Sequence, residues 1–426
     1  MREGAERPVA VYTHSLQAIF REHFTQYAHG HALHPRELRA ATAIMRCRTP
    51  ELGGRVLACE QGHYARALYN SCHHRSCPRC ADAPRQRWVQ WQLQRLLPCE
   101  HFHAVFTLPH VFLPLWQHNR AWLNAQLFDC VRCSLLELCA DPRHLGATPG
   151  VLMALHSWGR DLSRHPHVHA LVSAGGLDAQ GQWRESRAGY LVPVKALSVL
   201  FRGKLLHALN QALVHQRLQL PEHLPAAHWR AHIRSQYRKH WNVHLAERYA
   251  HGRGVALYLA RYVKGGPLPR QRALQLRGHD VLLPYTDHRD GRTKRARYPV
   301  EHFIERVLWH AAPRGQHLVR HCGLYASTAR PHHLRAMQQL RPTPMPVLAQ
   351  PLAALPPPSS NCPQCALPLK PVQSLLPTHR FGESSKAQPH NTTERLGPTP
   401  SSSGNPPAGH AQALRRRCLR RRIPLN

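Results

Sequence analysis

Acidic residues and long hydrophobic runs are both scarce in this 426-residue chain. There are 23 Asp and Glu against 57 Lys and Arg. No stretch approaches the ~18 consecutive apolar residues that a membrane-spanning helix needs. The first residues, MREGAERPVAVYTH, lack the apolar core of a secretory signal peptide. These absences argue against a membrane or secreted protein and predict a cytoplasmic one.

The excess of Lys and Arg leaves a formal net charge of +34. A field of that sign attracts polyanions, and nucleic acid is the commonest partner of a large basic protein. Membrane surfaces are anionic as well, but the basic residues are spread along the chain rather than gathered on one amphipathic helix. The composition therefore favours a nucleic-acid-binding protein.

The order of predicted elements indicates an α+β fold in which helices cover an antiparallel sheet. FHAVFTLP, GVLMALHSW and HVHALVSAG are typical of strands, whereas HNRAWLNAQLFDCVRCSLLELC has helical periodicity. We predict a helical and zinc-binding region at residues 1–95, a main α+β domain at 100–328 and a largely disordered tail at 330–426. That tail is rich in Pro and Ser and ends in the basic stretch RRRCLRRR.

Cysteines are numerous, and thirteen of them in a reducing compartment indicate metal binding before disulfides. Cys77 and Cys80 have the two-residue gap that lets both thiolates face one tetrahedral zinc. Cys59, His63 and Cys72 are further candidates upstream. Because five candidates compete for four positions, the fourth ligand is either His63 or Cys72. The segment predicts one structural zinc in a small module that cannot bury a core alone.

The other cysteine pairs carry weaker signals. Cys130, Cys133 and Cys139 fall on an apolar helix face, which is typical of core cysteines. The segment from Cys362 to Cys365 has zinc-ribbon spacing, but it lies in the Pro-rich tail without a visible second half. We therefore expect a weak site or none there.

The stretch HPHVHALVSAGG has histidines at every second position. Side chains at i and i+2 of a strand share a face, so His167 and His169 would project together as half of a divalent-ion site. His165 precedes a proline and is assigned to the loop before the strand. In a chain with 36 histidines such pairs also arise by chance, and HFH at 101–103 is an example. The pair alone is therefore a weak signal.

His156 is the candidate third ligand. It lies on the predicted strand GVLMALHSW and would face the histidine pair if residues 151–158 and 167–174 form a hairpin. The alternative is a buried histidine that is hydrogen-bonded to a backbone carbonyl.

A pair of tyrosines occurs in ALYLARYVKGG. Tyr258 and Tyr262 are four residues apart and would share one helical face. The simpler interpretation is an aromatic stripe that packs on the core. However, Arg261 and Lys264 lie in the same segment, and phenol hydroxyls beside cations suit attack on a phosphate.

Several stretches match one family in the same order over roughly residues 40 to 326: LGGRVLAC, YNSCHHRSCPRC, HFHAVFTLP, LHSWGRDLSRHPHVHALVSAGGL, FRGKLL, YLARYVKGG, DHRDGRTKR and RHCGLYA. The combination resembles the rolling-circle insertion-sequence transposases of the HUH, two-tyrosine type, relatives of plasmid replication-initiator nucleases. The run through the histidines is long and specific.

The resemblance implies a metal-dependent endonuclease and strand transferase that acts on single-stranded DNA at insertion-sequence ends. It implies that His167 and His169 hold Mg²⁺ or Mn²⁺, and that Tyr258 and Tyr262 are the nucleophiles. One phenolate would attack phosphorus and leave a 5′-phosphotyrosine and a free 3′-hydroxyl. It also implies an N-terminal zinc-binding domain and a bacterial, nucleoid-associated protein.

Two other functions compete with this one. A zinc-dependent DNA-binding protein with a decayed nuclease would keep the cysteines, but the intact histidines and tyrosines argue against decay. A cut-and-paste transposase needs a carboxylate triad. Acidic residues are scarce in the core, and Asp129, Asp161 and Glu185 stand in no strand-end pattern.

Basic side chains in three segments are the expected phosphate contacts. PYTDHRDGRTKRARYP predicts a hairpin that turns at Asp-Gly, although a solvated basic hairpin would look the same. The predicted contacts are Arg75 and Arg79 near the cysteines, Arg261 and Lys264 near the tyrosines, and Arg289, Arg292, Lys294, Arg295 and Arg297 in the hairpin.

Overall fold

In this computed structural model the described residues are 12–249, 265–268, 274–287, 290–313, 315–340 and 361–378. They form helices and antiparallel sheets, which confirms the predicted α+β class. The helices are α1 (Leu16–His29), α2 (Pro35–Arg46), α3 (Asp82–Leu93), α4 (Leu113–His118), α5 (Arg120–Ala140), α6 (Val194–Val214), α7 (Ala226–Gln236), α8 (Val300–Leu308) and α9 (Arg330–Gln339). None of the helices in these ranges is both long and apolar enough to cross a membrane.

The strands form three sheets within the described ranges. They are β1 (Tyr12–His14), β2 (Gly54–Ala58), β3 (Ala65–Tyr69), β4 (His101–Thr107), β5 (Thr148–Trp158), β6 (Arg164–Leu177), β7 (Trp183–Glu185), β8 (Val243–Tyr249), β9 (Leu274–Arg277), β10 (Asp280–Thr286), β11 (Thr293–Pro299), β12 (Val319–Gly323) and β13 (Lys370–Leu375).

The largest sheet has the order β12-β5-β6-β4-β8, with the short β7 paired to β6. Its two long central strands, β5 and β6, form an antiparallel hairpin in which His156 pairs with His167. The hairpin expected between residues 151–158 and 167–174 is therefore confirmed. From the sequence, His165 is assigned to the loop before this strand, but that assignment is wrong. β6 already begins at Arg164, so His165 lies in the strand.

One face of this sheet packs on α5 and α6. Phe106, Val168, Ala170 and Met153 point to that face and belong to the main hydrophobic core, together with Phe201 of α6. Alternation along the strands places the histidines on the opposite face. The apolar half of the HVHALV pattern therefore builds the core, and the polar half is left for the site.

The histidine face is closed at its far end by a smaller core. Trp88 of α3, Leu171 of β6 and Tyr325 are buried together there. The hydroxyl of Tyr325 lies 2.6 Å from Nε2 of His101, the first histidine of HFH. A Cβ on Gly150 would come within 2.7 Å of the Tyr325 ring, so glycine is required beneath it. These contacts leave the near end of the face, around His156, for a polar site.

A second sheet, β1-β9-β10-β11, packs with α1, α2 and α8 around another core. This core also contains Cys47 and Cys77, Leu268, and Leu162 from the loop between β5 and β6. Leu162 has a left-handed backbone (φ 64°) and is fully buried. The cysteine region and the loop that leads to the histidines therefore share one core.

The third sheet has the order β13-β2-β3 and includes the C-terminal segment. β13 pairs antiparallel with β2, with Lys370 opposite Ala58. The sequence predicts a largely disordered chain from residue 330 onward. The helix Arg330–Gln339 and the strand Lys370–Leu375 are folded parts of that region.

Candidate functional site

Three buried histidines meet on the free face of the largest sheet. Each of His156, His167 and His169 offers a ring nitrogen, and these nitrogens lie within 4.8 Å of one another. The ring centroids of His156 and His169 are 4.0 Å apart, and those of His167 and His169 are 4.7 Å apart. The three predicted metal-binding residues are thus brought together by the β5–β6 pairing.

Neighbouring groups fix the orientation of two of these rings. Nδ1 of His167 lies 2.5 Å from the carbonyl oxygen of His165. Because a carbonyl oxygen only accepts, this nitrogen carries the proton and Nε2 of His167 keeps its lone pair. Nδ1 of His169 lies 2.8 Å from Nε2 of His103 on β4. Such contacts to the second ring nitrogen are characteristic of metal-binding histidines.

His103 is a site residue that sequence reasoning missed. It belongs to HFH, which looked like a chance pair in a histidine-rich chain. Its contact to His169 depends on the pairing of β4 with β6, which aligns Val105 with His169 and His103 with Leu171. A strand-parity argument applied to HFH would have found the face, but not the neighbouring strand.

Burial keeps the histidine cluster neutral. It lowers the pKa of His167 to about 3 and that of His103 to about 4, and it holds the pKa values of His156 and His169 well below their usual range. Neutral imidazole is the form that binds a metal ion. The cluster is therefore ready to accept a cation at neutral pH.

The predicted nucleophiles Tyr258 and Tyr262 lie outside the described residues, as do Arg261 and Lys264. The chain is described on both sides of them. Before them, β8 ends at Tyr249, which pairs with His101 of β4. After them, Gly266 lies against Ser76, because a Cβ built on Gly266 would be 3.1 Å from the Ser76 carbonyl oxygen.

Four cysteines form a compact group, here called the cysteine cluster: Cys47, Cys72, Cys77 and Cys80. The Sγ atom of Cys80 lies 3.4 Å from that of Cys47 and 3.6 Å from that of Cys72. Thiolates around a tetrahedral zinc, with Zn–S bonds of ~2.3 Å, are about 3.8 Å apart. Hydrogen bonds from the Cys72 and Cys77 thiols lower the pKa of Cys47.

This grouping differs from the single five-residue set expected from the sequence. Cys72, Cys77 and Cys80 come together, but Cys59 and His63 do not join them. The β2–β3 hairpin carries Cys59 and His63 at its tip, away from the cysteine cluster. Cys47, which precedes that hairpin, takes the fourth position, and sequence spacing alone gave no sign of it.

Cys59 and His63 instead lie with Cys362 and Cys365, in a group here called the mixed cluster. Its ligand atoms also lie within 4.8 Å of one another. The tail segment that looked like half of a zinc ribbon therefore has a partner in the structure.

The basic hairpin forms as expected from β10 and β11, with Gly291 in its turn at φ 67°. Arg292 and Arg295 are exposed. Lys294 lies 2.5 Å from Asp287 and 3.1 Å from Asp290, so two carboxylates already neutralise it. Arg289 falls outside the described residues.

The other expected phosphate contacts among the described residues are less accessible to DNA, because each is either ion-paired or partly buried. Arg297 pairs with Asp280, with a nitrogen–oxygen distance of 2.5 Å. Arg79 is half-buried beside the cysteine cluster. Arg75 is half-buried as well, and burial lowers its pKa. Of the described candidates, Arg292 and Arg295 are therefore the best placed to contact a phosphate.

Comparison with known proteins gives the chain its family. The family model described as "Transposase zinc-binding domain" matches residues 19–108, and the one described as "Putative transposase" matches residues 150–332. The "Transposase for insertion sequence element IS801" of Pseudomonas savastanoi pv. phaseolicola is 31% identical over 326 residues, which cover 73% of this chain and 77% of the relative. The chain belongs to the IS91 family of insertion-sequence transposases.

A second relative of this transposase is "Putative transposase y4qJ" of Sinorhizobium fredii (strain NBRC 101917 / NGR234). It is 34% identical over 329 residues, which cover 76% of this chain and 83% of the relative. No solved structure matches the transposase significantly. The matched zinc-binding domain contains the whole cysteine cluster, which supports structural zinc there, and DNA is the partner that the family implies.

Proposed function

We propose that the transposase nicks and rejoins single-stranded DNA at insertion-sequence ends, with a divalent cation at the histidine cluster and tyrosines as nucleophiles. The observation that carries the proposal is the buried triangle of imidazoles on β5 and β6 in a chain of a transposase family. Tyr258 and Tyr262 enter the proposal from the sequence.

The donor set decides which cation fits. His156, His167 and His169 present three neutral nitrogens, and no carboxylate joins this group in the described part of the chain. Mg²⁺ is a hard cation that prefers oxygen ligands, whereas imidazole nitrogens suit softer transition-metal ions, among which Mn²⁺ is the hardest. A cation held by neutral ligands keeps its full charge, and it supplies Lewis-acid polarisation of a phosphodiester oxygen when bound. We therefore expect Mn²⁺ to support the reaction better than Mg²⁺.

The chain's own residues would position the strand and perform the attack. Arg292 and Arg295 are exposed cations that can hold phosphates of the DNA backbone. The phenolate oxygen of Tyr258 or Tyr262 attacks phosphorus, and the bond from phosphorus to the 3′-oxygen breaks. That oxygen takes up a proton and becomes a free 3′-hydroxyl, while the 5′-phosphate remains on tyrosine. Attack by the 3′-hydroxyl of another strand reverses the step and restores the phenol.

The second tyrosine gives the reaction its capacity for strand exchange. With Tyr258 carrying one 5′-phosphate, Tyr262 can attack a second strand, or the reverse. Each phosphotyrosine conserves the energy of the cleaved phosphodiester, so joining needs no other energy source. The free pKa of a phenol is about 10, so its proton must be drawn off as attack begins.

Two labelled oligonucleotides test the proposal. A single strand of the insertion-sequence end is labelled at the 3′ terminus in one sample and at the 5′ terminus in the other, and each is incubated with Mn²⁺. We expect a denaturation-resistant labelled protein only with the 3′ label, and a shortened free fragment only with the 5′ label. The adduct should vanish in a Tyr258→Phe, Tyr262→Phe double variant.

The matched control is Tyr237→Phe, which alters an exposed tyrosine at the end of α7 and should leave the adduct unchanged. His167→Ala should abolish both cleavage and adduct. Cleavage without any adduct would favour hydrolysis by a carboxylate site. DNA binding without cleavage would favour the non-catalytic alternative.

A further inference from the structure

The mixed cluster joins two parts of the chain that are remote in sequence. Cys59 and Cys365 are 306 residues apart, yet their Sγ atoms lie 3.4 Å apart. His63 and Cys362 complete the group. We propose that the mixed cluster is a second zinc site, separate from the cysteine cluster, and that its zinc fastens the C-terminal segment 361–378 to the N-terminal module. The proposal does not depend on the histidine cluster or on its reaction.

Each half of the mixed cluster is a tight turn. The N–H of Gly62, which has φ 73°, donates to the Cys59 carbonyl at 3.0 Å. In the other half, the N–H of Ala366 donates to the Cys362 carbonyl at 2.9 Å. The N–H of Cys362 donates to the Leu367 carbonyl at 2.7 Å. These backbone bonds hold the ligands of each turn in fixed positions before an ion binds.

Strand pairing sets the two turns face to face. Cys59 follows the last residue of β2, and Cys362 and Cys365 precede β13. Because Lys370 pairs with Ala58, both turns lie at the same end of the β13-β2-β3 sheet. The register of three strands, rather than flexible side chains, therefore brings the ligands together.

Apolar packing around this sheet is small. The buried residues of its hydrophobic core are Leu57, Leu369 and the two cysteines Cys59 and Cys362. The outer strand is exposed along nearly its whole length, and Val372 is 63% exposed. A core of this size does not hold a segment against the entropy of the intervening chain, so a further bond is needed. A structural zinc supplies such a bond in small modules.

The donor set suits zinc and closes the site. Three thiolates and one imidazole are a common structural zinc set, and four protein ligands leave no open position for catalysis. A disulfide between Cys59 and Cys365 would need a sulfur–sulfur distance of ~2.05 Å, well below the 3.4 Å observed. The cluster is therefore built for a structural ion rather than for a covalent bridge.

Zinc counting on the full-length protein tests the proposal. Protein purified under reducing conditions is analysed by elemental mass spectrometry, and we expect two zinc ions per chain. Cys362→Ser combined with Cys365→Ser should lower the count by one, and Cys59→Ser alone should remove the same ion. The control is Cys133→Ser on α5, which lies in neither cluster and should leave the count at two.

Hydrogen exchange gives an independent readout of the fastening. Loss of Cys362 and Cys365 should accelerate exchange of the β13 amides while the amides of the β5–β6 hairpin stay protected. The single variant Cys362→His, which keeps Cys365 and places another zinc-binding group at position 362, should retain the second zinc ion. The proposal is overturned if the wild-type count is unaffected by the tail cysteines, if only Cys59 affects it, or if the non-reduced protein contains a Cys59–Cys365 disulfide.

Discussion

Nε2 of His103 and Nδ1 of His169 lie 2.8 Å apart across the β4–β6 pair, with their rings stacked at a centroid distance of 5.0 Å. Burial lowers the pKa values of both groups, so both rings are uncharged at neutral pH. One ring then donates its N–H to the nitrogen lone pair of the other. The contact fixes the ring of a proposed metal ligand from the neighbouring strand. His103 is therefore a positioning residue of the histidine cluster.

Replacing His103 by alanine should weaken metal binding without removing a ligand. Loss of a partner on the second ring nitrogen typically lowers metal affinity about 10- to 100-fold. We expect the Mn²⁺ concentration for half-maximal cleavage to rise by that factor in His103→Ala, while excess Mn²⁺ restores cleavage. The control His118→Ala, at an exposed position of α4, should leave the Mn²⁺ dependence unchanged. A loss that no amount of Mn²⁺ restores would contradict a positioning role.

His310 should make the fold sensitive to acid. Burial lowers its pKa to about 3, against 6.5 in an unfolded chain. Between these values the unfolded chain binds a proton that the folded chain does not, so stability falls as pH drops from about 6.5 towards 3. The loss approaches ~1.4 kcal/mol per pH unit, or about 2 kcal/mol between pH 8 and pH 5.

The measurement is the free energy of unfolding in urea at pH 8 and pH 5. His310→Gln keeps a polar group near Ser157 and the Leu162 carbonyl, its contacts at 3.3 Å. This variant should lose about 2 kcal/mol less than wild type on acidification. His118→Gln should behave as wild type. Equal losses in wild type and His310→Gln would show that His310 does not titrate in this way.

Gly266 packs against Ser76, and we therefore expect the proposed cleavage to depend on a glycine at position 266. A Cβ at Gly266 would be 3.1 Å from the Ser76 carbonyl oxygen, so the chain that follows Tyr262 would have to shift. Misplacement of a reacting group by ~1 Å can reduce rates about 100-fold. We expect a mild loss of cleavage in Gly266→Ala and a loss of about tenfold or more in Gly266→Val, with zinc content unchanged. Gly30→Ala, whose added Cβ would meet nothing closer than 3.9 Å, is the control.

Ion pairing within the basic hairpin predicts which cations bind DNA. Arg292 and Arg295 are exposed, whereas Lys294 is held by Asp287 and Asp290. Each phosphate contact to single-stranded DNA contributes about 0.7 to the slope of log affinity against log salt. Arg292→Gln and Arg295→Gln should each reduce that slope by about this amount, and Lys294→Gln should change it little. A larger effect of Lys294 would show that DNA displaces its carboxylate partners.

The histidine cluster and the main sheet could be predicted because both follow from alternation along single strands. The period of two placed His167 and His169 on one face, and the hairpin placed His156 opposite them. His103 could not be predicted in this way, since its contact depends on which strand lies beside β6. The tail segment was missed for a related reason. Its strand has few apolar residues, and its partner β2 lies more than 300 residues earlier in the chain.

Cysteine spacing indicates that the segment binds zinc, but it does not show which cysteines share one site. Cys77 and Cys80 share a turn, so their proximity is local and could be inferred. Cys47 joins them only because the intervening β2–β3 hairpin projects outward and returns the chain to its starting point. The same hairpin places Cys59 in the mixed cluster. Long-range closure of this kind leaves no signal in the spacing of the residues themselves.

β6 carries the proposed metal site on one side and the main core on the other, in strict alternation. A slip of the β5–β6 register by one residue would therefore exchange the two sides, placing Val168 and Ala170 in the site and the imidazoles against α5 and α6. A misregistered form would lose both at once, because the same slip that empties the proposed site also disrupts the core. The register of this one hairpin therefore makes the proposed cation site conditional on correct folding of the main core.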